Sequence, residues 1–231
     1  MALERLTPDD LSAIEAAVRA AEIRTTGEIY CVVAQESADY HATPLAWAAG
    51  VALLAPALLL LGGVQVTAPD VSMFGGWTAE QVEDVGEATA RAALIGTLML
   101  QVALFIAIPP LRRALTPRGM KRDRVRQRAE EQFLSKNLHA TRERTGVLIY
   151  VSLAERMAEL IADDTIHDQV ADGTWERPMA ALVEGLKSGD LSGGFTRCVA
   201  LCADVLSEKF PARPGDNPNE LPDAGVILPR A

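Results

Sequence analysis

Cysteine is scarce in this chain: Cys31, Cys198 and Cys202 are the only three in 231 residues. An odd, sparse set is no disulfide framework and suggests a reducing compartment. Aromatic residues make up 5% of the chain, too few for a platform on which single-stranded bases could stack. Cations are outnumbered, with 22 Lys and Arg against 31 Asp and Glu. The net charge of −9 argues against a nucleic-acid partner. The opening "MALERLTPDDLSAIEAAV" carries acids early and has no continuous apolar core, so no cleavable signal peptide is expected. There is no Cys-x5-Arg loop, no Asp-x-Asp pair and no His-rich two-metal constellation, and no catalytic residue is assigned.

Charge is also missing locally. From His41 to Pro69 there is no acid, Lys or Arg, and the centre of that stretch is "PLAWAAGVALLAPALLLLGGVQV", 44–66. A second charge-free stretch, "AALIGTLMLQVALFIAIPPL", runs from Ala92 to Leu111. About twenty apolar residues span a bilayer core as a helix, and a helix satisfies its own backbone groups in lipid. The spacing predicts two transmembrane helices, 44–66 and 91–111, because soluble helices of that length carry a polar face. The intervening 67–90 holds Asp70, Glu80, Glu83, Asp84 and Glu87 but no cation. Residues 112–128 hold eight Lys or Arg against the single acid Asp123. The positive-inside rule then places both termini in the cytoplasm and 67–90 outside. The expected setting is a bacterial inner membrane, with the lipid bilayer as a partner.

The rest reads as one α/β domain divided by this hairpin. Thr7 is a suitable N-cap, Pro8 a suitable first helical residue, and Leu11, Ile14, Val18 and Ala21 fall on one helical face over 7–21. Gly27 is expected to make the left-handed turn before the strand "EIYCVVAQ", 28–35. The pattern recurs downstream as a helix over 121–143, Gly146, and the strand "VLIYVSL", 147–153. An unbroken apolar run suits a strand covered on both faces. "RMAELIA", 156–162, follows so closely that an antiparallel hairpin is expected. The recurrence predicts two parallel strands, one from 1–40 and one from 120–210. Two further helices follow, separated by a break at Gly193-Gly194, and 211–231 reads as an extended or disordered tail.

The candidate cluster is "ADDTIHDQVAD", 162–172. Asp163, Asp164, Asp168 and Asp172 sit where a strand gives way to a helix, a frequent ligand position in α/β folds. Carboxylate oxygens suit a hard cation such as calcium, although the spacing is not that of an EF-hand. The competing reading has Asp163 and Asp164 capping a helix. "SGDLSGGF", 188–195, could offer amides to an anion, but a glycine pair is more often a turn.

"FLSKNLHATRERTGVLIYVSLAERMAELIADDTIHDQV", then "W", "LKSGDLSGGF", "FP" and "NELPD", resembles the TPM domain family. The chain is most similar to bacterial members with two spans inserted in the domain. The resemblance implies a small α/β sandwich with a short mixed sheet. It also implies an association with acid phosphatase activity and calcium binding, known for some members. The expected function is a non-catalytic assembly or quality-control factor for membrane complexes, with a membrane-protein partner. The alternative is a calcium- or magnesium-assisted phosphatase using 163–172.

Overall fold

The computed structural model describes residues 6–40, 96–102, 113–213 and 226–228, together with positions 43, 46, 47, 50, 104 and 108. The chain divides into two compact units, 1–39 with 118–231, and 40–117. Most of the two apolar stretches at 44–66 and 91–111, and the whole loop 67–90, lie outside the described residues. Among the described residues no helix is long and apolar enough to cross a membrane. The described piece 96–102 is helical, with Met99 and Leu100 exposed.

The first unit begins with α1, Pro8–Glu22. Its start follows the sequence signals: the Thr7 hydroxyl accepts the Asp10 N–H at 3.2 Å, and Asp10 Oδ2 accepts the Thr7 N–H at 2.8 Å. This reciprocal box satisfies two backbone donors that a helix start leaves open. Ile14, Val18 and Ala21 form its buried stripe. Strand β1, Glu28–Ala34, follows. After the second unit come α2, Arg118–Ser135, a 3-10 turn at Leu138–Ala140, and β2, Gly146–Ser152. The helix expected over 121–143 thus stops earlier, where Asn137 takes a left-handed conformation with φ 57°. Strand β3, Met157–Ala162, is reached through Arg156 at φ 54°. The short α3, Asp164–His167, precedes α4, Glu176–Ser188, and α5, Leu191–Lys209. Strand β4 is Val226–Leu228.

The sheet order is β3-β2-β1-β4. Strands β1 and β2 pair in parallel from Glu28↔Gly146 to Ala34↔Ser152. Strands β2 and β3 form the expected antiparallel hairpin. Every residue of β1 and β2 is buried, the pattern of strands covered on both faces. Ile29, Cys31, Val33, Val147, Ile149 and Val151 pack under α1, α4 and α5. Tyr30, Val32, Leu148 and Tyr150 face Val125, Ala129 and Phe133 of α2. The fold is therefore an α/β sandwich with a small mixed sheet.

Three local expectations change. Gly27 is not left-handed; its backbone lies against the end of α5, where an added Cβ would sit 3.1 Å from Leu206 Cδ1. Gly146 is tighter still, since a Cβ there would lie 2.5 Å from the Leu138 carbonyl oxygen. Both Thr-Gly steps thus use glycine for close approach, not for handedness. Gly193 and Gly194 do not break the chain; they belong to the first turn of α5. A Cβ on Gly185 of α4 would meet Gly194 Cα at 2.5 Å, so these glycines let two helices touch backbone to backbone. Part of 211–231 supplies β4, which pairs in parallel with Val32, Val33 and Ala34.

Candidate functional site

The acidic segment 162–172 is the first candidate. Asp163 is 3% exposed and is the N-cap of α3, where its Oδ1 accepts the Thr165 N–H at 3.2 Å. Arg144 Nε stands 3.6 Å from the same oxygen. Asp164, Asp168 and Asp172 are exposed. The turn from β3 into α3 thus brings one carboxylate inward as a cap and leaves the others in solvent. Among the described residues no three His, Cys, Asp or Glu side chains converge on a point that could hold a metal. A cation at Asp163 would have to compete with both the Arg144 guanidinium and the cap, so these residues do not fit a calcium cage.

The second candidate is a cleft of about 500 Å³ beside the α4–α5 turn, lined by Thr7, Asp10, Ser188, Asp190 and Ser192 among others. Gly189, at φ 83°, ends α4 and turns the chain. Asp190 then caps α5: its Oδ1 accepts the Gly193 N–H at 2.9 Å, and its Oδ2 pairs with Arg197 at 3.2 Å. The Gly193 amide therefore already faces a carboxylate of the chain itself, and the Gly194 amide donates to the Asp190 carbonyl at 2.9 Å. Across the cleft, the Thr7 N–H and then the Thr7 hydroxyl hold the Asp10 carboxyl below its ordinary range. The Asp10 and Asp190 carboxylates on the walls, the latter shared with Arg197, disfavour a phosphate guest by like-charge repulsion.

A third group was not singled out in the sequence. Where β1 and β2 end, Tyr150 OH lies 2.9 Å from Ser37 Oγ, which donates to Ser152 Oγ at 2.8 Å. The Ser152 hydroxyl donates to Glu155 Oε2, which also accepts the Ser37 N–H at 3.3 Å. Because the Ser37 proton is used on Ser152, the Tyr150 hydroxyl is the donor to Ser37. All four residues are buried, Tyr150 and Ser152 completely. Burial pushes the Tyr150 phenol above its ordinary range, against the opposing pull of the Ser37 hydrogen bond. The signal available was Tyr150 and Ser152 two positions apart in an otherwise apolar strand, which puts two hydroxyls on one face. These bonds tie residue 37 to the end of β2.

The three cysteines all lie in the core under α1, α4 and α5. Burial, with Cys198 and Glu22 nearby, pushes the Cys31 thiol far up. A hydrogen bond with Cys198, and then burial, raises Cys202 as well. Thiols held neutral and buried act as small apolar groups, not nucleophiles.

Residues 113–205 match the family model of the TPM domain. Among solved structures, the NMR structure of BA42 protein from the psychrophilic bacterium Bizionia argentinensis is similar. That likeness has a TM-score of 0.56 at 18% sequence identity and covers 97% of each chain. At this identity it speaks for the fold. No curated protein matches the chain significantly.

Proposed function

We propose that the chain is an integral protein of a bacterial inner membrane, crossing it twice, whose TPM-type α/β body serves other membrane proteins as an assembly or quality-control factor. The observation that carries this reading is the register of β1 on β2. Seven consecutive pairs join residues before the first apolar stretch to residues after the second. Strands that share hydrogen bonds share a compartment, so whatever 44–111 crosses is crossed an even number of times. Two charge-free stretches of bilayer length meet that condition with a single hairpin. Exposed apolar side chains on the described part of the second stretch, Met99 at 65% and Leu100 at 70%, suit a lipid setting.

The non-catalytic part of the proposal rests on where the polar groups go. Asp163, Asp190 and the Ser37–Ser152–Glu155 chain each spend their polar atoms on capping or closing the fold. Gentle detergent extraction and native co-purification test it: specific recovery of membrane proteins above an untagged control is expected. Recovery of none would count against it. If the same preparation hydrolysed a phosphomonoester, and Asp163→Asn abolished that without unfolding the protein, a metal-assisted phosphatase would replace this reading.

A further inference from the structure

The charge order along α2 is reversed relative to the other long helices. Helix α1 has Asp9 and Asp10 in its first turn and Arg19 in its last. Helix α4 opens with Glu176 and closes with Lys187, and α5 is capped by Asp190 and ends with Lys209. Each follows the helix macrodipole, with acids at the positive N-terminus and cations at the negative C-terminus. Helix α2 has no acid in its first turn and no base in its last. Its first half carries Arg118, Lys121, Arg122, Arg124 and Arg126 against the single acid Asp123, while Glu130 and Glu131 lie toward the other end.

Ion pairing is reversed in the same sense. The second half is internally matched, Arg126 to Glu130 at 2.9 Å and Arg128 to Glu131 at 2.8 Å. In the first half, Arg118, Lys121 and Arg124 make no ion pair among the described residues. Arg122 reaches Glu159 only at 3.7 Å, with its side chain 77% exposed. Met120 is exposed among these cations. This concentration occurs in a chain whose net charge is −9, so the rest of the protein is strongly acidic. Like charges gathered at the positive end of a helix oppose folding unless an external anion offsets them.

We propose that the first half of α2 docks on anionic phospholipid headgroups, with Arg118, Lys121, Arg122 and Arg124 as the contacts and Met120 entering the interface. The proposal rests on the membrane reading above, because a bilayer reached through the apolar stretches is what brings headgroups near residue 118. A basic side chain near an anionic membrane surface strengthens attachment about fivefold, and the effect falls off within a Debye length. Four such contacts make a surface that salt can release.

The test uses the full chain in nanodiscs of phosphatidylcholine, with or without phosphatidylglycerol, and limited trypsin cleavage between 118 and 126. Cleavage at least about tenfold slower on the anionic discs is expected, in keeping with several contacts of that strength. High salt should remove the difference, and so should the combined variant R118Q/K121Q/R122Q/R124Q read at Arg126, the trypsin site it keeps, while circular dichroism stays unchanged. Equal cleavage on both discs, with the protein firmly inserted, would overturn this proposal alone. Protein released from the discs by carbonate would overturn the membrane reading and this proposal together.

Discussion

A methyl group is enough to probe the two Thr-Gly steps. Gly146→Ala places a Cβ 2.5 Å from a backbone oxygen that cannot swing away. A cost of about 3 kcal/mol is expected, at the upper end for overpacking. Gly27→Ala meets the flexible Leu206 side chain at 3.1 Å and should cost about 1 kcal/mol. Urea melts of the two variants check the order; equal costs would contradict the close-approach account. The identity of both glycines was legible, because Thr-Gly ahead of an apolar run stands out. Their reason was not, because closeness to Leu138 and Leu206 is a property of the folded neighbourhood. Tyr150 offers a second probe. Tyr150→Phe removes the donor to Ser37 and should cost about 1 kcal/mol. Since the folded phenol titrates above its unfolded value, its contribution is complete below about pH 10 and is lost as pH rises through the folded value. The wild type should therefore lose stability above about pH 10, and the Phe variant should lose less.

Strands differ sharply in what they hold. Strand β1 is buried at all seven positions between β2 and β4, and it carries Ile29, Cys31 and Val33 into the larger core. Deleting residues 1–36 should abolish cooperative thermal unfolding of the α/β unit; a sharp transition retained by that variant would refute the divided-domain account. Strand β4 pairs at three edge positions only. Removing 226–231 should lower the melting temperature by a few degrees, corresponding to about 1 kcal/mol for a unit of this size. The parallel β1–β2 pair and the β2–β3 hairpin were readable because both strands are long apolar runs after a helix. Strand β4 was not, since Val226-Ile227-Leu228 is too short for periodicity and sits in proline-rich text. At the acidic segment, sequence could place four carboxylates near a strand end. The capping reading holds for Asp163, which turns inward; sequence could not tell that Asp164 would not share that role but remain in solvent with Asp168 and Asp172.

Across the whole molecule, two features converge on one arrangement. The sheet joins chain from both sides of the apolar stretches. Basic residues crowd 112–128 while 67–90 holds acids alone. The buried cysteines give this arrangement a low-background assay, because thiols enclosed in the core, with Cys31 and Cys202 also pushed up in their titration, should ignore maleimide. Reaction of the unfolded but not the folded wild type would confirm that background. Ala16 on α1 and Ala200 on α5 are both exposed and lie before and after the apolar stretches. Ser72 lies in the acidic loop between them. Single variants Ala16→Cys, Ala200→Cys and Ser72→Cys, treated in intact cells with a membrane-impermeant maleimide, test the central claim. Labelling of the cysteine at 72 alone, with those at 16 and 200 reacting only after permeabilisation, is the predicted result. Different behaviour at 16 and 200, or shielding of all three in intact cells, would contradict it.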